Sequence, residues 1–387
     1  NVVNKVINDV VRNLINEIGL HIMNKELSKK EIENALSQFQ IQGEVKSCAP
    51  YGSGHINDTF LVKADRDYIL QRMNTNIFKH PKELMENVTL VCNFMEKEIL
   101  KAGGDPEREG LRLVPTKAGL GYYEDQEENF FRMYLFVEDT KSYNLVEKPE
   151  HFYESARAFG HFQNLLASFP AEKLHETIPD FHNMEFRLGQ LHDALKTDPV
   201  ERAEEVRYYI DEIEKRAEEM CKAECLHREG KLPKRVCHCD TKVNNMLFDE
   251  DGHVLCVIDL DTVMPNFIFS DYGDFLRTGA NTGEEDDKDL DRVNFDLEIF
   301  KAFTEGYLKG ASSFLTDVEI ENLPYAAALF PYMQCVRFLT DYINGDVYYK
   351  IKYPEHNLDR AKNQLALFNS VCSHEEEMKN FIAENSK

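Results

Sequence analysis

Apolar residues recur every three or four positions at the start of the chain. Val3, Val6, Ile7, Val10, Val11, Leu14, Ile15 and Ile18 predict an amphipathic helix over residues 2–22. A second helix is expected to open at Ser28, because Glu31 three residues on completes a capping box. From Gly43 the period changes toward two. Short β-like runs at Glu44–Tyr51, Thr59–Ala64 and Tyr68–Met73 are separated by the loop Gly52-Ser53-Gly54-His55 and the turn Asp65-Arg66-Asp67, which predicts an antiparallel meander. Pro81 sits where a first helical turn tolerates it, opening a helix over Pro81–Lys101; strand-like segments follow at Leu111–Pro115, Gly121–Glu124 and Phe130–Val137. Beyond Glu138 the spacing is helical, with segments near 151–168, 183–196, 199–228, 289–309, 317–344 and 356–371. One interruption stands out: Met246–Phe248 and Val254–Leu260, joined by Asp249-Glu250-Asp251-Gly252, read as a hairpin inserted into the helical region.

The pattern therefore predicts an α+β fold with two lobes: a small antiparallel β lobe and a larger, mainly helical lobe with an embedded β-hairpin. Its expected segments are an N-terminal helical stretch (1–42), a β-rich nucleotide-binding lobe (43–137) and a helical catalytic and substrate-binding lobe (138–387). Such an order is the organisation of protein-kinase-like folds.

Composition narrows the partners. With 45 basic against 69 acidic residues the net charge is -24, which disfavours nucleic acid and anionic membrane surfaces. A phosphate-rich ligand would need a divalent cation beside it. No apolar run approaches the roughly 20 residues of a membrane span, and no segment reads as a signal peptide. Nine scattered cysteines fit reduced thiols better than a disulfide framework, so the expected compartment is the cytoplasm.

The chemistry concentrates in Val236-Cys237-His238-Cys239-Asp240-Thr241-Lys242-Val243-Asn244-Asn245. Asp240 and Asn245 stand in the relation of a kinase catalytic loop, where the aspartate accepts the attacking hydroxyl's proton and the asparagine holds a metal. Fourteen residues later, Val257-Ile258-Asp259-Leu260-Asp261 ends a β-branched run in carboxylates, where a second metal-holding group belongs. Magnesium prefers oxygen ligands and keeps several waters, so one amide, one or two carboxylates and substrate phosphates suffice. Asn and Asp at such positions also cap turns, a reading that weighs most for Asp261. Asp271, at the mouth of the following helix, would cap it or hydrogen-bond back onto the catalytic loop. A zinc knuckle at Cys237-His238-Cys239 fails on spacing, and the nearby carboxylates disfavour a thiolate.

In the small lobe, Gly52 and Gly54 would let backbone N–H groups approach nucleotide phosphates, although Gly-x-Gly is also an ordinary turn. The strand Tyr68–Met73 has no lysine for the phosphates; Arg72 is the cation in it, with Glu86 or Glu83 of the next helix as partner. The adenine is expected against the stretch Tyr134–Val137, which includes Phe136.

On these motifs the sequence resembles the aminoglycoside-phosphotransferase and choline-kinase superfamily. Within it, the run from His238 to Asn281, together with Tyr51–Phe60 and Tyr68–Asn74, is similar to the bacterial N-acetylhexosamine 1-kinases, over about Tyr51–Tyr349. The resemblance implies ATP- and Mg2+-dependent phosphorylation of the anomeric hydroxyl of N-acetylglucosamine or N-acetylgalactosamine. It implies Asp240 as base, Asn245 and Asp259 on magnesium with Asp261 assisting, and a sugar pocket using His55, Asp58, Asp240, Arg337 and Tyr348. Other readings stay open: a kinase of another small alcohol such as an aminoglycoside, choline or homoserine, or an inactive sugar- or nucleotide-binding protein. A protein kinase fits less well, because Asp259-Leu260-Asp261 stands where Asp-Phe-Gly would be and no Ala-Pro-Glu occurs.

Overall fold

A computed structural model describes residues 27–52, 56–143 and 149–386. The helix expected over 2–22 lies outside the described residues. The chain divides into two compact units: one holds the described residues up to Thr89 together with Leu111–Val137, the other Leu90–Gly110 and everything from Glu138 onward.

In the first unit, helix α1 (Lys29–Gln38) opens at Ser28 with the expected capping box: the Ser28 hydroxyl accepts from Glu31 N, and the Glu31 carboxylate accepts from Ser28 N. Strands β1 (Ser47–Pro50), β2 (Asp58–Lys63), β3 (Asp67–Arg72), β4 (Tyr123–Glu124) and β5 (Phe130–Leu135) form one antiparallel sheet in the order β1-β2-β3-β5-β4. Alternation decides its core face. Val62, Tyr68, Leu70, Phe131 and Met133 point one way and bury Ala35 and Leu36 of α1 and Phe39 just past its end. The expected strand Leu111–Pro115 forms only an isolated bridge, Leu113 to Tyr134, beside β5. Helix α2 runs Pro81–Lys101, as the pattern predicts.

The second unit is helical around two short β pairs. β7 (Met246–Phe248) and β8 (Val254–Val257) make the expected hairpin. The pair β6 (Arg235–Cys237) with β9 (Met264–Asn266) was not legible in the sequence, since a Met-Pro-Asn strand breaks the usual strand pattern. Its effect is topological: it closes residues 238–263 into one loop whose two ends are hydrogen-bonded. A bidentate ion pair from Arg235 to the fully buried Glu319 anchors that base, at 2.6 and 2.8 Å.

The predicted helix over 199–228 breaks into short pieces at Arg207–Glu214, Ala217–Met220 and Lys222–Arg228. The cause is tertiary. Tyr332 and Tyr325 donate their hydroxyls to Ile213 O (2.7 Å) and Met220 O (2.6 Å), carbonyls at the two breaks. The helix expected from 289 begins only at Leu297, where Asp296 caps the N–H groups of Glu298 and Ile299.

Helices α3 (Pro149–Leu165), α4 (Met184–Thr197), α5 (Phe269–Gly279), α6 (Leu297–Ala311) and α7 (Leu323–Ile343) build the core, with α8 (His356–Ser373) along α7. The close approach of α3 and α6 needs glycine: a Cβ on Gly306 would lie 2.2 Å from Tyr153 O, and one on Gly310 2.4 Å from Arg157 O. Among the described residues, no helix is long and apolar enough to cross a membrane.

Gly306→Ala should therefore lower unfolding free energy by about 1–3 kcal/mol, because backbone on both helices must move. Gly189→Ala, in the interior of α4 with open space around it, should raise it by about 0.5–1 kcal/mol. Urea denaturation of both variants checks the pair.

Candidate active site

The loop after β6 is hung on one buried carboxylate. Asp271, in the first turn of α5, accepts from His238 N (Oδ2, 2.9 Å) and Cys239 N (Oδ1, 2.8 Å), and its own carbonyl accepts from the Thr241 hydroxyl at 2.8 Å. Gln163 of α3 donates to Oδ2 at 2.8 Å and is itself held by the Tyr307 hydroxyl at 2.5 Å. Burial pushes the Asp271 carboxyl up from its ordinary range, against the opposing pull of His238 and these donors. Asp271 thus bonds back onto the loop. His238 is fully buried between the edges of Phe159 and Phe162. Its Nε2 lies 2.8 Å from Ile258 O, which only accepts, so Nε2 carries the proton and the ring ties the loop to the end of β8. The Thr262 hydroxyl completes the tie by donating to His238 O at 2.7 Å.

Cys239 has φ of 64°, a left-handed conformation costing a non-glycine residue roughly 1–2 kcal/mol. The turn puts the half-buried Asp240 just past the buried knot. Its Oδ2 accepts from Asn245 Nδ2 (3.1 Å) and from the Lys242 ammonium (2.8 Å), which leaves Oδ1 for another donor. Lys242 was not singled out from the sequence, although a lysine two residues after such an aspartate is a readable spacing. Burial works against its charge, but Asp240, Asp259 and Asp274 outweigh that and raise its pKa. Cys237 and Cys239 are buried thiols pushed up by burial and by Asp271, which makes them poor thiolates.

The oxygen donors fit a hard cation. Asn245 Nδ2 also donates to Asp240 O at 2.9 Å, and both its partners only accept, so the amide oxygen is turned the other way. Ile258 N donates to Asn245 O at 2.9 Å, which sets Asn245 next to the residue preceding Asp259. Asp259 itself adopts φ 61° and ψ 61° and leaves the strand direction abruptly. Asp261 is buried in the 3-10 turn Leu260–Thr262. Among the described residues, no group of three or more His, Cys, Asp or Glu could hold a metal alone; an amide, one carboxylate and phosphate oxygens is the set that magnesium accepts.

Asp274, one turn along α5 from Asp271, is a further carboxylate, and it feels Asp240. Burial raises its pKa to about 6, Arg277 opposes the shift and Asp240 adds to it. Arg277 in turn pairs with Glu285 at 2.7 Å. Arg337, on α7, lies with its guanidinium 5.6 Å from the rings of both Phe181 and Tyr349. Tyr348 is exposed, its ring against Tyr349 at 4.8 Å. Of the two tyrosines it is Tyr349, not named from the sequence, that meets Arg337.

In the first unit, Gly54 and His55 lie outside the described residues. Gly52 takes φ of 80° with open space where a Cβ would be. Asp58 and Arg72 are cross-strand partners and form an ion pair, so two residues expected to meet different ligands meet each other. Register puts Arg72 on the face shared with Tyr68 and Leu70. The opposite face carries Gln71 and, across from it on β5, the buried Arg132, which donates to Gln71 Oε1 at 2.9 Å and reaches Met85 of α2. Arg132 was not weighed, because a buried arginine in an otherwise apolar strand gives no periodic signal. Glu86 lies on the exposed side of α2. Tyr134 is buried beneath Arg132, and the ring of Phe136 stands edge-on to Tyr51 at 5.9 Å.

Such a β-sheet unit and helical unit, with an Asp-x-x-x-x-Asn loop beside a strand-end aspartate, define the class of kinase-like phosphotransferases. The chain belongs to the phosphotransferase enzyme family, whose model matches residues 47–304. The same fold is found in an aminoglycoside phosphotransferase from Alicyclobacillus acidocaldarius subsp. acidocaldarius (TM-score 0.61, 13% identity, 91% of this chain and 96% of that one). It is also found in an amicoumacin kinase in complex with AMP-PNP and Ca2+ (0.55, 12%, 89% and 94%) and in a microcompartment-associated aminopropanol kinase (0.54, 13%, 91% and 99%).

Asp274 gives this site a pH signature. A carboxyl whose folded pKa is raised to about 6 is better protonated in the folded than in the unfolded chain. Its contribution is fully present below the unfolded value of ~4 and is lost as pH rises toward 6. Asp274→Asn should flatten that part of the stability profile, leaving a smaller fall between pH 4 and 6 than the parent protein shows by thermal melting.

Proposed function

We propose that this protein is an ATP- and Mg2+-dependent anomeric sugar kinase, transferring the γ-phosphoryl group to the 1-hydroxyl of an N-acetylhexosamine. The observation that carries the reading is the Asp240 carboxylate, oriented through Oδ2 by Asn245 and Lys242 with Oδ1 left to accept a proton. Family membership and the small-molecule acceptors of the fold relatives support transfer to a small alcohol. The motif resemblance supports the sugar.

In this reading the acceptor hydroxyl donates to Asp240 Oδ1, and its proton passes to that oxygen as the O–P bond forms and ADP departs. An anomeric hydroxyl is more acidic than an ordinary alcohol, so a carboxylate near its reference pKa of ~4 suffices when held at hydrogen-bond range. Lys242 supplies a fixed positive charge next to the base, where the transferring group becomes most negative. Asn245, Asp259 and, with a smaller part, Asp261 would hold Mg2+, which when bound neutralises phosphate charge. Gly52, Gly54, Arg72, Glu86, Tyr134 and Phe136 are assigned to the nucleotide, and His55, Asp58, Arg337 and Tyr348 to the sugar. Most of the work is alignment and electrostatics rather than covalent chemistry.

Asp240→Asn is expected to lower kcat by at least a thousandfold while nucleotide affinity, followed by calorimetry, changes less than threefold; a retained rate would remove Asp240 as base. Asp259→Ala should abolish the Mg2+ dependence of nucleotide binding, and unchanged affinity in the presence of Mg2+ would take it out of the metal set. The acceptor is settled by incubating the protein with ATP and N-acetylglucosamine, N-acetylgalactosamine, an aminoglycoside, choline or homoserine, and locating the phosphate by phosphorus NMR. A sugar 1-phosphate is the expected product; phosphorylation of one of the other alcohols alone would replace this reading with a different substrate on the same machinery.

A further inference from the structure

Three nitrogen-bearing side chains converge on Phe181, with no carboxylate among them. Arg187 of α4 donates to Phe181 O through Nη2 (2.7 Å) and Nε (3.3 Å), and through Nη1 to the Gln190 amide at 2.8 Å. Arg337 of α7 lies 5.6 Å from the Phe181 ring and donates to the Gln334 amide at 3.1 Å. The imidazole of His182 stacks on that ring at 4.2 Å and stands edge-on to Phe330. Among the described residues, neither guanidinium has a carboxylate at ion-pair distance. Asp180, the carboxylate that Arg187 feels, accepts instead from Asn183 at 2.8 Å.

The arrangement is costly for folding alone. Burial, then the neighbouring Arg337, pull the pKa of Arg187 down to about 10. His182 is buried and driven well below its ordinary value by burial and by Arg337, Arg187 and Arg277, so it is neutral; its Nδ1 has no hydrogen-bond partner. By contrast, the partly buried Arg235, Arg277 and Arg202 of the same unit are all paired with Asp or Glu. In a chain of net charge -24, carboxylates to neutralise two more arginines are plentiful. Leaving two adjacent guanidiniums without one is the arrangement of a site whose counterpart arrives with a ligand.

The cluster also borders the catalytic loop. Phe181 and Ile178 pack against the buried cluster of Cys237, Cys239 and Met264, which includes the residue before Asp240. From the other side, Asp274 feels Asp240 and is bonded by Arg277, whose charge reaches His182.

We propose that Arg187 and Arg337 select the acceptor by charge, taking an oxygen-only group of the substrate, an amide carbonyl or a carboxylate, and rejecting an ammonium in the same place. An amide or carboxylate oxygen accepts hydrogen bonds and offers no like charge, whereas an ammonium brought beside two unneutralised guanidiniums is repelled. Arg187 is the new assignment, and Arg337 acts with it. For a hexosamine the selected group is the N-acetyl carbonyl, and the excluded form is the bare amine; the polycationic acceptors of aminoglycoside kinases are excluded on the same ground. The inference rests on the acceptor-kinase reading above, with Asp240 as base.

The test compares N-acetylglucosamine, glucosamine at a pH where its amine is charged, and glucuronic acid, as substrates of the parent protein and of Arg187→Met, Arg187→Lys and Arg337→Met. The parent should prefer N-acetylglucosamine over glucosamine by more than tenfold in kcat/KM. Losing one charged donor pair should raise KM for N-acetylglucosamine about 10- to 100-fold with a smaller change in kcat. It should also shrink the preference over glucosamine, while Arg187→Lys retains much of it. General damage to the fold lowers both substrates alike and cannot move that ratio; should Arg187→Met fail to fold, Arg337→Met carries the same comparison. If N-acetylglucosamine is phosphorylated and the ratio is unchanged in every folded variant, the inference fails while the kinase reading stands. If no sugar is phosphorylated, that reading fails, and calorimetric binding decides the charge rule. Glucuronate bound more tightly than glucosamine, with the difference lost in a Met variant, supports it; equal or undetectable binding overturns it.

Discussion

The candidate active site depends on the buried carboxylate of Asp271. Two backbone N–H groups of the loop after β6, those of His238 and Cys239, donate to it, and a buried donor left without a partner costs about 1–3 kcal/mol. The carboxylate satisfies both at once. It comes from the first turn of α5, so the position of that helix, packed on α7 at Gly273, sets the position of the loop. Gln163 from α3 and Tyr307 from α6 extend the same network, so three helices share in aiming one turn of chain.

From that knot the working groups follow by short steps. His238 reaches across to Ile258 O, which fixes the end of β8 against the loop, and Asn245 O takes Ile258 N from the other side. Asp240 and Asp259 each follow or occupy a left-handed turn, at Cys239 and at Asp259 itself. These two turns store strain that only a well-anchored surround sustains, and the aromatic walls of Phe159 and Phe162 supply much of it. A rigid frame of this kind suits chemistry in which the protein contributes alignment and fixed charge rather than bonds.

Charge is distributed with the same economy. The partly buried Arg235 and Arg202 are paired with carboxylates, while Lys242 pairs with the proposed base itself. Arg187 and Arg337 have no carboxylate at ion-pair distance among the described residues, and the role proposed for them is to read the acceptor. The Arg337 guanidinium lies against aromatic surface, the rings of Phe181 and Tyr349.

The sequence by itself determined the order of elements and the identity of the loop. Alternation in β2 and β3, the capping box at Ser28, Pro81 at the head of α2 and the spacing of Asp240, Asn245 and Asp259 are local signals, and local physics enforces them. What tertiary structure decided was everything requiring two distant segments to meet. The β6–β9 pair, the breaks imposed on 207–228 by tyrosine hydroxyls of α7, the Asp58–Arg72 pair and the burial of Arg132 opposite Gln71 all depend on partners dozens of residues away or on strand register. The same holds for the unneutralised arginines. A sequence shows that a charge exists, but only the packed chain shows whether another charge has been brought within reach of it.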